Sequence, residues 1–289
     1  MPRLVISLTT IPPRLGRIGR TLRDLTRQTA KVDEIRLTLP RRYRRFDFNP
    51  DSLPSMPDGV TVHLIDTDMG PATKVLPAAA ALRGTDTEIL FCDDDHQYPR
   101  DWAQAFLAAR AEHPDACITR MGYDFVDRGV HFTAPPPEGP LPRAERMPPD
   151  LRPPWVKRLL GRRAPFAKSG YVQVLQGFGG AMLRPDMLQQ GAQDIPAALW
   201  MVDDPWLSGQ LALNNVPIWL TADPPWRPRA YGTAQVDDLL NLSVGGQDRY
   251  ASDAACIAWF QQRYGLFPGV QHTGSRRKKP GRDLPPERG

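Results

Sequence analysis

Three consecutive carboxylates, Asp93, Asp94 and Asp95, follow the apolar run in TEILFCDDDHQY, residues 87–98. Like charges this close repel one another unless a cation sits among them. On an extended backbone Asp93 and Asp95 point to the same side. At that spacing two carboxylates can hold one hard divalent ion through oxygen. A second acidic pair, Asp203 and Asp204, stands far downstream in VDDPWLSGQL, with Asp204 placed to cap a helix whose first residue is Pro205. Lys74 in GPATKVLPAAAAL falls in the first turn of a helix predicted to open at Pro71. A cation there opposes the helix dipole and is tolerable where an anion such as a phosphate docks. A cation-gripping acid pair, a phosphate-facing ammonium and a separate carboxylate able to take a proton suit transfer from an activated, phosphate-bearing substrate.

The elements that must position these groups can be read in chain order. Short apolar runs predict strands at 4–8, 35–39, 60–65, 88–92, 117–119, 171–175 and 217–220. Helical spacing predicts helices over 16–28, where Ile18, Leu22 and Leu25 face a sheet, and over 101–112, with Trp102, Phe106 and Leu107 inward. Further helices are expected from Pro71, from Asp204 and over 254–264. Strand, helix, strand at this spacing gives right-handed βαβ units, hence an α/β fold with a Rossmann-like, mostly parallel sheet flanked by helices. Ligands of such sheets bind at the carboxyl edge of the strands, where Asp93 to Asp95 lie. Gly177, Gly179 and Gly180 in GFGGAML permit close backbone approach to a ligand.

Ten prolines between Ala134 and Pro165 exclude a regular sheet or a long helix there. Residues 134–166 therefore read as a Pro-rich insertion or lid within a single domain, 1–273, followed by a basic tail, 274–289, of disordered composition. Within the insertion WVKRLLGRR is basic and carries Trp155, Leu159 and Leu160, a makeup suited either to peripheral contact with an anionic membrane surface or to a short packed helix.

The chain has 289 residues and a formal net charge of +5. The excess positive charge sits in 151–163 and 274–289 and leaves the remainder net acidic, so a basic nucleic-acid-reading face is not indicated. No apolar run approaches the roughly 20 residues of a membrane span. The N-terminus enters a strand without a signal-peptide layout. Cys92, Cys117 and Cys256 form no CxxC pair and sit in apolar contexts, as reduced core residues of a cytoplasmic protein would.

Together, VISLTTIPPR, GPATK, ILFCDDDHQYP, GFGGAML and VDDPWLSGQL, in this order across residues 3–265, resemble the GT-A fold glycosyltransferases, nearest a bacterial family-2-like subgroup. The resemblance implies a nucleotide-sugar donor, most simply a UDP-sugar, a glycan or other hydroxyl acceptor, and Mn²⁺ or Mg²⁺. Thr9, Thr10, Ile11 and Arg14 would line the nucleotide pocket. Asp68 (or Asp66) would approach base or ribose, and Lys74 the diphosphate. Asp93 and Asp95 would form the DxD pair, with Asp94 toward the sugar. Gly179, Gly180 and Trp206 would face the acceptor. Asp204 would be the general base of an inverting displacement, with Asp203 as its alternative. His272, or else His131, would be a third metal ligand, and His96 a turn residue.

Other classes fit less well. A sugar-1-phosphate nucleotidyltransferase has a Gly-rich basic loop after its first strand, and TTIPPR has no glycine. A metal-dependent phosphohydrolase or nuclease needs a second acidic or histidine cluster on neighbouring strands. A non-catalytic sugar- or nucleotide-binding module on the same fold is separated only by assay.

Overall fold

β1 (Arg3–Leu8) is buried from its second residue on, and it is the strand about which the chain turns. β2 (Glu34–Pro40) pairs with it in parallel, and β3 (Val60–Ile65) with β2. β4 (Thr87–Phe91) pairs in parallel on the other side of β1, placing Ser7 opposite Phe91. The chain thus builds outward from β1 in one direction and returns to its opposite flank, which makes the gap between β1 and β4 the switch point of the sheet.

The computed structural model describes residues 2–129, 131–153, 156, 163–231, 242–243, 249–273 and 282–283. The sheet continues with β5 (Cys117–Thr119), β6 (Gly170–Val172), β7 (Ala181–Leu183) and β8 (Ile218–Leu220). Its order is β6-β8-β5-β7-β4-β1-β2-β3. β7 runs antiparallel between β4 and β5, β8 is parallel to β5, and β6 is antiparallel to β8. The fold is therefore the expected α/β, Rossmann-like and mostly parallel.

α1 (Gly19–Thr26) buries Leu22 and Leu25, with Ile18 just before it, and α3 (Trp102–Glu112) buries Trp102 and Phe106. α1 is shorter than predicted because residues 16–18 still belong to the turns that follow a 3₁₀ segment, Pro12–Arg14, and the helix opens only at Gly19. The helix expected from Pro71 is divided into a 3₁₀ segment, Gly70–Lys74, and α2 (Leu76–Ala81). Pro77 explains the break, having no N–H to donate and a ring that crowds the preceding turn. α4 (Asp204–Leu213) and α5 (Arg249–Tyr264) complete the described helices, α5 opening earlier than predicted.

The expected strand over 171–175 is split. Its first part is in the main sheet, whereas Val174–Leu175 pairs with Gly122–Tyr123. Among the described residues of the Pro-rich stretch, Glu145–Arg146 pairs with Phe166–Lys168 and Arg143 bridges Tyr171, and none lines the main cavity. Most of the WVKRLLGRR island and most of the basic tail lie outside the described residues. Among the described residues no helix is long and apolar enough to cross a membrane. All three cysteines are buried and unpaired.

Candidate functional site

The register of β1 against β4 decides the site. Because Ser7 stands opposite Phe91, the residues leaving both strands, Thr10 from one and Asp94 from the other, emerge side by side. The Thr10 hydroxyl donates to Asp94 Oδ2, and Arg14 Nη1 donates to Asp94 Oδ1 at 2.9 Å and to Asp95 Oδ2 at 3.3 Å. Thr21, from α1, secures the same turn by donating to the Asp94 carbonyl at 2.7 Å. The antiparallel β7 brings its preceding 3₁₀ turn, Gly177–Gly179, to this edge as well.

A cavity of about 400 Å³ opens at this carboxyl edge. Thr9, Thr10, Ile11, Arg14, Asp68, Lys74, Asp93, Asp94, Asp95, Asp203 and Asp204 all line it. The two acidic segments are joined by one side chain: Lys74 Nζ lies 2.6 Å from Asp93 Oδ1 and 2.6 Å from Asp203 Oδ2. Lys74 is 3% exposed. Burial alone would pull its ammonium toward neutrality, but Asp203, Asp93 and Asp204 outweigh that and hold its pKa well above the ordinary value. Its charge is engaged in holding the two carboxylates together where it lines the cavity.

Asp94, which also lines the cavity, is held by Arg14 and the Thr10 hydroxyl. Burial pushes its carboxyl up to about 6, helped by Asp95 and Asp93 and opposed by Arg14 and the Thr10 hydroxyl. Neither Asp203 nor Asp204 makes a side-chain cap, contrary to the expectation for Asp204. The helix begins at Asp204 itself, whose Oδ1 accepts from the Gly177 N–H at 2.8 Å. Asp68 organises a turn: it accepts from the backbone of Arg44 and of Gly70, both at 2.8 Å, while exposed Asp66 pairs with Arg41 outside the cavity. The Thr9 hydroxyl donates to the Thr38 carbonyl at 2.7 Å, tying the loop after β1 to β2.

Several expectations are corrected. Trp206 is 1% exposed, packs against Trp259 and Phe260, and donates from Nε1 to the Ala192 carbonyl at 2.8 Å, so it belongs to the core. Gly179 and Gly180 do not line the cavity either. A Cβ on Gly179 would meet Met121 Cγ at 2.5 Å, and one on Gly180, at φ 91°, would meet Trp102. Their lack of a side chain accommodates the protein's own core, not a ligand. Gly177 serves Lys74, because a Cβ there would stand 2.8 Å from its Nζ.

His272 is exposed in a two-residue pairing with Phe132–Thr133 and does not line the cavity, and His131 stacks on Tyr250 at 3.6 Å. The histidine at the acid cluster is His96. Its Nδ1 lies 2.6 Å from Asp95 Oδ1, and Asp93, Asp95 and His96 each offer a ligand atom within 4.8 Å of the others. Burial pulls His96 down, but the contact with Asp95 and the charges of Asp93 and Asp94 leave its pKa raised. Two residues not anticipated from the sequence also line the cavity: Tyr43, whose hydroxyl donates to the Thr10 carbonyl at 2.9 Å, and Trp200, whose Nε1 donates to the Asp68 carbonyl at 2.9 Å. The signal available for Tyr43 was its place just beyond the carboxyl end of β2.

No protein-family model and no curated protein matches the chain. Among solved structures, S. aureus TarS 1-349 is similar at 12% identity and a TM-score of 0.41, covering 80% of this chain and 61% of its own. The same fragment in complex with UDP is similar at 14% identity and a TM-score of 0.39, covering 76% of this chain and 58% of its own. The chain thus spans less than two thirds of either.

Proposed function

We propose that the chain is a metal-dependent glycosyltransferase with a GT-A type sheet, moving a sugar from a nucleotide-diphosphate donor to a hydroxyl acceptor with inversion. The observation that carries this reading is the shared grip of Asp93 and Asp203 on Lys74, which unites the acid turn after β4 and the acid pair at α4 in one cavity. The sequence resemblance supplies the substrate class, a UDP-sugar, and the cavity supplies a place for it at the sheet's switch point.

The residues present fit a divalent ion. Seven carboxylates (Asp68, Asp93, Asp94, Asp95, Asp203, Asp204 and Asp253) line the cavity against four cations (Arg14, Arg45, Lys74 and Arg128), so it retains excess negative charge. Asp93, Asp95 and His96 would hold Mn²⁺ or Mg²⁺, and the imidazole among them favours the softer Mn²⁺. Such an ion would neutralise the departing diphosphate.

Arg14 and the Thr10 hydroxyl keep the turn of Asp94 in place beneath the donor. Asp204 takes the proton of the acceptor hydroxyl as its oxygen bonds to the sugar C1 and the bond from C1 to the phosphate oxygen breaks. The Gly177 N–H fixes the Asp204 carboxylate for that task. Asp203 is bound to Lys74 and is the weaker choice of base.

The test is a panel of nucleotide sugars read for hydrolysis, transfer and binding. Asp95→Asn should abolish Mn²⁺-dependent UDP binding. Asp204→Asn should keep that binding and lose about 10²-fold or more in turnover. Full turnover by Asp204→Asn would remove it from the mechanism.

A further inference from the structure

Opposite the sheet edge the cavity is walled by a different part of the molecule. A second hydrophobic cluster, Tyr123, Phe125, Phe132, Val174, Ile257 and Val270, packs the 3₁₀ turn Phe125–Arg128 against α5. That packing carries Arg128, Tyr250 and Asp253 to the cavity.

The cations along this cavity are not equivalent. Arg14 is bound to Asp94 and Asp95, Lys74 to Asp93 and Asp203, and Arg45, also in the lining, lies over the Phe46 ring at 4.8 Å and has a further partner. Among the described residues no carboxylate pairs with Arg128. Its guanidinium carbon lies 4.5 Å from the centroid of the Tyr123 ring, and its Nε is buried without a hydrogen-bond partner. A buried donor left unmet is unfavourable, and a guanidinium fork matches a carboxylate or phosphate through two parallel hydrogen bonds. Tyr250, stacked on His131 with an interplanar angle of 12°, adds a fixed aromatic surface beside it.

We propose that Arg128 binds an oxyanion on the acceptor, so that the acceptor is an acidic sugar or a sugar phosphate. The word acceptor rests on the glycosyltransferase reading, whereas the anion site itself does not. Arg128 belongs to a wall distinct from the β1 and β4 edge to which the donor diphosphate is assigned, and this favours the acceptor as the source of the anion.

The probes are glucuronate for a carboxylate and glycerol 3-phosphate for a phosphate. Each is titrated calorimetrically into the full chain, with and without UDP and Mn²⁺. One probe should bind the wild type, with Arg128→Gln weakening it about tenfold or more, Arg128→Lys recovering part of the loss, and UDP affinity unchanged in both variants. Whichever probe binds identifies the anion. The proposal is overturned if neither probe binds the wild type, if Arg128→Gln binds them as tightly, or if that variant loses UDP to the same degree, which would make Arg128 a donor-phosphate residue. Should Arg128→Gln fail to fold, Arg128→Lys reads the same comparison through loss of the fork. A wild type that binds a probe through Arg128 but never binds UDP would sink the donor reading and leave the anion site standing.

Discussion

Lys74 is the residue on which the acidic wall depends. Its ammonium is buried between Asp93 and Asp203, and removing it would leave like charges facing one another in a partly buried setting. Breaking a buried ion pair from one side costs about 3–5 kcal/mol, and the lower end applies because Asp93 is partly open to solvent. Lys74→Met should therefore lower the urea midpoint by an amount equivalent to about 3 kcal/mol. An unchanged midpoint would show that the two acids do not need their bridge. Gly177 tests the same contact from the other side. Gly177→Ala would press a methyl group on the Lys74 ammonium and disturb the N–H that holds Asp204. It should lower turnover more than it lowers the thermal midpoint; the reverse order would assign Gly177 to the core alone.

At the scale of elements, the edge between β2 and β3 carries its own ionic device. Glu34 Oε1 lies 3.0 Å from Arg36 Nε and 2.8 Å from His63 Nε2, and Arg3 of β1 reaches the same carboxylate. Burial pulls the Glu34 carboxyl up, but Arg36 and His63 outweigh it and leave its pKa below the ordinary value of 4.5. A depressed carboxyl stabilises the fold above the unfolded-state pKa, and that contribution is lost as pH falls through the folded-state value. Glu34→Gln should thus destabilise by roughly 1 kcal/mol at pH 7 and by less near pH 4, as read from urea midpoints at the two values. An equal loss at both would mean that packing, not charge, is what Glu34 supplies. The glycine run before β7 belongs to this scale too. Its residues were legible as a place of close approach, but not what approaches, because Trp102, Met121 and Lys74 arrive there from three different elements.

For the whole molecule, the cavity exists only because a sheet edge and a satellite cluster face each other across it. UDP with Mn²⁺ should stabilise the folded chain by about 2.7 kcal/mol at a free concentration near a hundred times Kd, seen as a raised thermal midpoint. UDP without metal should give a markedly smaller shift. Equal shifts with and without metal would remove the divalent ion from donor binding. The Pro-rich stretch was legible as irregular from its prolines alone, since a residue without an N–H cannot sustain a ladder.

What the chain determined by itself is local and periodic. Alternation of apolar runs with helical spacing specifies a parallel α/β sheet, because a strand buried on both faces and a one-sided helix leave few other packings. The acids at the end of β4 mark its carboxyl edge for the same reason. What only tertiary structure decided is which distant groups meet. His96 rather than His272 joins the acids, Trp206 turns into the core, Lys74 sits between two carboxylates, and Arg128 arrives from another cluster. Those outcomes follow from strand register and from packing between elements far apart in sequence, which no local spacing encodes.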